Sequence, residues 1–271
     1  MRMPSRYLKR YVAETGKAAP KEAARLDSLF NRIAAGETLP PRGQQAVEAG
    51  LTAHSLNDAQ ENPAVYDYYQ WVLAHCFTEQ QVDEVPAKLI GMAFICANVF
   101  ETDLPQPLTL NPWQITAMAD FPLRHHRIII VENNGVFAWL HRRHPEWPLI
   151  DQSGNDFNSA YVMLMRTLVK RGVHFTYLGD LDSRGIQIAD HLLNELAIDP
   201  AEFTALQSPA NVLKWVTLKG KSDSQRTRPV TVKAPVFQQE LNSLTLVKKF
   251  VEQEQLITEY EELITAWLKL K

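Results

Sequence analysis

The 271-residue sequence has no run approaching ~18 uncharged apolar residues, so hydropathy gives no membrane-spanning helix. It has only two cysteines, Cys76 and Cys96, too few for a disulfide framework or a cysteine zinc site. A reducing cytoplasm is the expected compartment. The basic start (Arg2, Arg6, Lys9, Arg10) has no apolar h-region behind it, so no secretory signal is expected. Internal repeats and low-complexity runs are missing. So are Gly-x-x-x-x-Gly-Lys-Ser/Thr, which excludes a P-loop ATPase, and Gly-x-Ser-x-Gly, which excludes a nucleophile elbow. Excess positive charge is missing too: the net charge is −3, so any nucleic-acid contact has to use local patches.

What is present is globular: 45% hydrophobic and 22% charged residues, enough for a core without staples in about two domains. Charge is uneven along the chain. Residues 214–233 hold Lys214, Lys219, Lys221, Arg226, Arg228 and Lys233 against one acid, Asp223. The following segment reverses the sign with Glu252, Glu254, Glu259, Glu261 and Glu262.

Residues 1–106 read as a helical module for partner or DNA binding. Apolar residues at Ala23, Leu26, Leu29, Phe30 and Ile33 repeat with helical period before Gly36. Asn62-Pro63 reads as an N-cap with proline at the first helical position, opening a helix to Phe77. Residues 78–100 read as one or two further helices, broken or kinked at Pro86. From about residue 107 the character changes. Asn111-Pro112 opens a short helix. Strands are expected at 127–131, 148–151 and 174–178, alternating with helices at 135–143, 156–170 and 185–196. That alternation means βαβ units and a parallel sheet, with ligands bound outside the carboxyl ends of its strands. Two closing helices are expected near 237–255 and 257–269.

Three acids fall at those strand ends: Glu132 after the first strand, Asp180 and Asp182 after the third. Clustered carboxylates repel one another, and hard oxygen ligands suit Mg²⁺ or Mn²⁺. Each acid alone also reads as a helix cap or a solvent-facing residue, and Asp-x-Asp by itself is a weak signal. The pairs His125-His126 and His141/His144 lack a third zinc ligand, and with their arginines they read as part of a basic rim.

Ile129-Ile130-Val131-Glu132-Asn133-Asn134-Gly135-Val136-Phe137, followed by Gly179-Asp180-Leu181-Asp182-Ser183-Arg184-Gly185-Ile186, resembles a Toprim domain. It is most similar to the variant in the topoisomerase VI A subunit and to the Toprim nuclease subunit of bacterial Wadjet-type plasmid-defence systems. Pro148–Gly154 resembles the intermediate strand and glycine turn of that fold, and Val251-Glu252-Gln253-Glu254 a Glu-rich signature near the C-terminus. The resemblance covers about residues 107–200 and, loosely, 236–256. It implies a Toprim-like domain over 107–271 acting as a Mg²⁺- or Mn²⁺-dependent DNA endonuclease in an anti-plasmid or anti-phage defence complex, with SMC-like partner subunits and a homodimeric state. Glu132 would be a metal ligand and general acid/base, Asp180 and Asp182 would hold the ion, and Glu252 or Glu254 would extend the cluster. Lys214, Lys219, Lys221, Arg226 and Arg228 would hold backbone phosphates. The lysine usual after the glutamate is Asn133 here, which leaves one basic contact unassigned.

Topoisomerase VI-like enzymes cleave DNA through a tyrosine ester, and Tyr66-Asp67-Tyr68-Tyr69 invites that comparison. The helical spacing of Tyr66, Tyr69 and Leu73 beside Trp71 and Val72 reads instead as a packed helix face, so hydrolysis is expected. Two alternatives belong to other classes: a non-catalytic Toprim subunit that binds DNA or a partner, and a small-molecule phosphotransfer enzyme. For the latter, the match of Asp180-Leu181-Asp182-Ser183-Arg184 to haloacid-dehalogenase-type phosphatases is poor, because two β/α units precede it and Arg184 intrudes.

Overall fold

Arg127-Ile128-Ile129-Ile130-Val131 is nearly all β-branched, and in the computed structural model it forms a strand flanked on both sides by parallel neighbours. The structure describes residues 5–78, 81–85, 94–153 and 159–269. The chain divides into two compact units, 1–87 and 88–271.

The first unit is helical: α1 (Arg6–Thr15), α2 (Asp27–Ala34), α3 (Arg42–Glu48) and α4 (Pro63–Cys76). Its core gathers Tyr7, Tyr11, Phe30, Tyr68, Tyr69 and Val72. Asn62 caps α4 by accepting from the Val65 N–H at 3.4 Å, with Pro63 at the first turn, as the sequence indicates.

The second unit is α/β. In chain order it runs β1 (Phe94–Ala97), β2 (Leu108–Leu110), α5 (Ile115–Met118), β3 (Arg127–Val131), α6 (Asn134–Arg143), β4 (Leu149–Asp151), α7 (Ser159–Lys170), β5 (His174–Leu178), α8 (Ser183–Leu196), α9 (Pro200–Phe203), α10 (Pro209–Lys219), α11 (Pro235–Val247) and α12 (Ile257–Leu268). The sheet order is β2-β1-β4-β3-β5. β3 pairs in parallel with β4 (Val131 opposite Asp151) and with β5 (Val131 opposite Leu178), so the carboxyl ends of all three emerge on one edge.

Three expectations need correction. The sheet is mixed, because β1 runs antiparallel to both β2 and β4. Phe94–Ala97 is a strand where residues 78–100 read as helical, and it belongs to the second compact unit, 88–271. All four of its residues are buried, and a short apolar run buried on both faces has no period to separate strand from helix. The expected break at Pro86 and the start of the 156–170 helix lie outside the described residues. Finally, the helix expected over 237–255 ends at Val247, where Lys248 turns left-handed (φ 56°). The chain then runs extended through Phe250 and Val251, bridging Lys221 and Leu181, before a 3₁₀ turn at Gln253–Leu256.

No helix among the described residues is long and apolar enough to cross a membrane.

Candidate functional site

The shared edge of β3 and β5 brings Glu132, Asp180 and Asp182 together. The Glu132 N–H donates to the Leu178 carbonyl at 3.0 Å, continuing the parallel ladder one residue past the end of β3. Glu132 Oε2 then accepts from the Asp180 N–H at 3.1 Å and from the Tyr177 hydroxyl at 3.2 Å. Gly179 permits this approach: a Cβ there would stand 2.5 Å from Glu132 Oε2 and 2.7 Å from the Tyr177 ring.

Asp182 answers to both readings of a strand-end acid. Oδ1 caps α8, accepting from the Gly185 N–H at 2.8 Å, while Oδ2 accepts from Arg226 Nε at 2.8 Å. Asn133 likewise caps α6, accepting from the Gly135 and Val136 N–H groups. Its own amide nitrogen donates to Glu254 Oε1 at 3.1 Å.

The extended segment after α11 closes the cluster. Val251 and Leu181 exchange backbone hydrogen bonds, which lays residues 250–254 against the Asp180–Asp182 loop. The Gln253 N–H donates to Asp180 Oδ1 at 2.9 Å, and Gln253 Oε1 accepts from the Asn133 N–H at 2.9 Å. Glu252 and Glu254 are therefore buried members of the site, 2% and 6% exposed.

Five carboxyl groups, Glu132, Asp180, Asp182, Glu252 and Glu254, meet two basic groups. Arg226 donates through all three of its nitrogens: to Asp182, to Asp180 Oδ2 at 3.1 Å and to Glu252 Oε1 at 3.0 Å. Its guanidinium also lies 4.0 Å from the centre of the Phe250 ring. Lys221 Nζ reaches Glu252 Oε2 at 3.0 Å. Negative charge stays in excess, and the carboxyls respond. Burial, reinforced by the charge of Asp180, pushes Glu132 and Glu254 up to about 8 each. Asp180 rises to about 6 through burial and Asp182, with Arg226 opposing the rise.

The donor set is all oxygen and short of positive charge, which suits a hard divalent cation. Its present spacing is that of a guanidinium complex. Among the described residues no group of three His, Cys, Asp or Glu side chains is spaced to hold a metal ion, and Arg226 stands where a cation's charge is called for. The residues fit the ion by chemistry and would have to release Arg226 to bind it.

The basic stretch is split. Lys219 pairs with Glu259, Lys221 with Glu252 and Arg226 with the cluster, whereas Lys214 and Arg228 are exposed. The histidine–arginine runs make internal contacts as well. Arg143 and His144 both meet Glu261, and Arg127 donates to the Trp267 carbonyl. Tyr68 and Tyr69 are fully buried in the core of the first unit.

In sequence Arg226 reads as a phosphate contact and Tyr177 and Gln253 as no site residues, because none of the three carries a local signal of its partners. Asp151 was legible by the same rule as Glu132. It ends β4, is buried, and is pushed up to about 7 by that burial against two hydrogen bonds from Ser153.

The chain matches no curated protein. A family model described as "Protein of unknown function C-terminus (DUF2399)" matches residues 108–265, a span that holds every member of the acid cluster together with Arg226 and Lys221. That is more than half of the sequence, and the chain belongs to this family.

Proposed function

We propose that the acid cluster is the catalytic centre of a divalent-metal-dependent DNA endonuclease of the Toprim kind. The observation that carries this reading is the convergence of Glu132, Asp180 and Asp182 at the carboxyl ends of two parallel strands, with Glu254 brought in from a distant segment. Asp180, Asp182 and Glu254 would hold Mg²⁺ or Mn²⁺, which when bound neutralises the phosphate and the leaving oxygen. Glu132 is fixed through Oε2 by the Asp180 amide and the Tyr177 hydroxyl, so its other oxygen is the one turned to proton transfer. Burial and the neighbouring Asp180 hold its pKa near 8 without metal, and a cation at Asp180 would lower it toward the range in which the carboxylate can take a proton from an attacking water. Lys214 and Arg228 would hold backbone phosphates, giving salt-sensitive, sequence-independent affinity. A homodimer working with SMC-like subunits in plasmid or phage defence belongs to the same proposal and rests on the Toprim resemblance alone.

A second reading is favoured by one observation. Arg226 bonded to three carboxylates is also what a structural lock looks like, holding residues 250–254 on the sheet edge of a non-catalytic DNA- or partner-binding subunit. Supercoiled-plasmid cleavage separates the two. Nicking or linearisation in Mg²⁺ or Mn²⁺ that is lost in Asp180→Ala establishes the nuclease. DNA binding without cleavage in either metal, with Asp180→Ala losing only stability, establishes the lock.

A further inference from the structure

Each of the three side-chain nitrogens of Arg226 is engaged by a group an incoming cation would need. Nε and Nη2 hold the Oδ2 oxygens of Asp182 and Asp180, and Nη1 holds Glu252. The same residue ties its loop to the start of α8, because the Ser183 N–H donates to the Arg226 carbonyl at 2.9 Å and the Ser183 hydroxyl donates to the Arg228 carbonyl. A guanidinium cannot give up its proton, so it cannot make room for a second positive charge by neutralising itself. It has to move.

We propose that Arg226 is an internal competitor for the ion. It occupies Asp180, Asp182 and Glu252 until a divalent cation displaces it, so that loading the site and loosening the 223–228 loop from α8 are one event. This rests on the reading of the acids as metal ligands. Two features favour displacement over a permanent lock. Arg226 meets three carboxylates with a single positive charge, and its side chain is 26% exposed, which leaves it a path outward. Once freed, the planar fork is the group best shaped to meet a phosphate.

The test is Mn²⁺ titration of the full chain, followed by the electron paramagnetic resonance signal of free Mn²⁺, for wild type, Arg226→Gln and Asp180→Asn. Removing the competitor should tighten Mn²⁺ binding about 5- to 150-fold, the usual range for coupling between two binding events. Asp180→Asn should abolish it. Equal or weaker binding by folded Arg226→Gln, with wild type binding and Asp180→Asn not, overturns the competitor and leaves the metal site standing. If wild type and Arg226→Gln both fail to bind, the metal reading itself falls, and this inference with it. Should Arg226→Gln not fold, hydrogen exchange of the wild type decides. Mn²⁺ must speed exchange at the Ser183 amide and across 223–228, and unchanged or slower exchange there overturns the proposal.

Discussion

Gln253 donates its backbone N–H to Asp180 Oδ1 at 2.9 Å, joining positions 73 residues apart. Together with the Leu181–Val251 bridge, this bond makes the carboxyl-terminal segment a wall of the acid cluster. Charge, stability and chemistry at the site are therefore coupled, and the coupling can be measured.

The metal-free protein should lose stability as pH rises. Glu132 and Glu254 have folded pKa values of about 8, above the ordinary carboxylate range, so the native state binds more protons than the unfolded chain in between. Their contribution is fully present below the unfolded value and is lost as pH rises through about 8. The thermal midpoint in chelator should fall from pH ~5 to ~8.5, and Glu132→Gln should flatten the slope. At pH ~8 the variant should gain about 2–4 °C for each kcal/mol recovered. A midpoint indifferent to pH in both proteins would sink this account.

Gly179→Ala should damage the site from outside the acids. Its methyl would stand 2.5 Å from Glu132 Oε2, and that carboxylate is pinned by two hydrogen bonds. Overpacking of this kind costs about 1–3 kcal/mol. Urea unfolding should show that loss, and plasmid cleavage should fall with it. Wild-type stability in Gly179→Ala would mean that Glu132 has somewhere else to go.

Glu240→Leu should stabilise the second unit. Glu240 is fully buried in α11, neither carboxyl oxygen has a partner among the described residues, and burial pushes it well above the usual range. An unpaired buried polar group costs about 1–3 kcal/mol, most of which an apolar side chain of similar size recovers. The urea midpoint should rise while cleavage is unchanged.

Tyr66→Phe and Tyr69→Phe should keep any cleavage activity. Tyr69 is buried and its hydroxyl meets Gln45 Oε1 at 3.3 Å, so the second variant loses about 0.5–1.5 kcal/mol of stability and no nucleophile. A protein–DNA ester trapped in wild type and missing from either variant would contradict hydrolysis.

Lys214→Ala and Arg228→Ala should weaken DNA binding evenly across sequences, each lowering the slope of log affinity against log salt by about 1. Lys219→Ala should leave that slope unchanged and cost stability through its pair with Glu259. Fluorescence anisotropy over a salt series distinguishes the two groups. Equal effects from Lys219 and Lys214 would show that ion pairing inside the protein does not decide which cations meet DNA.

Local sequence determined much of this protein. The Ile-rich β3, the helix caps at Asn62, Asn133 and Asp182, and the acids just past β3 and β5 follow from propensity, capping chemistry and strand alternation, which depend on near neighbours. Tertiary structure decided what near neighbours cannot. Phe94–Ala97 became a strand because β2 and β4 flank it, not because its residues carry a period. Glu252 and Glu254 became buried site residues because the chain turns at Lys248 and pairs with Leu181. Arg226, one of a row of basic residues in sequence, became the counter-cation of the cluster because the Asp180–Asp182 loop, more than 40 residues before it, and Glu252, 26 residues after it, place three carboxylates around it. Charge pairing depends on distance in space, and only the packed chain sets that distance.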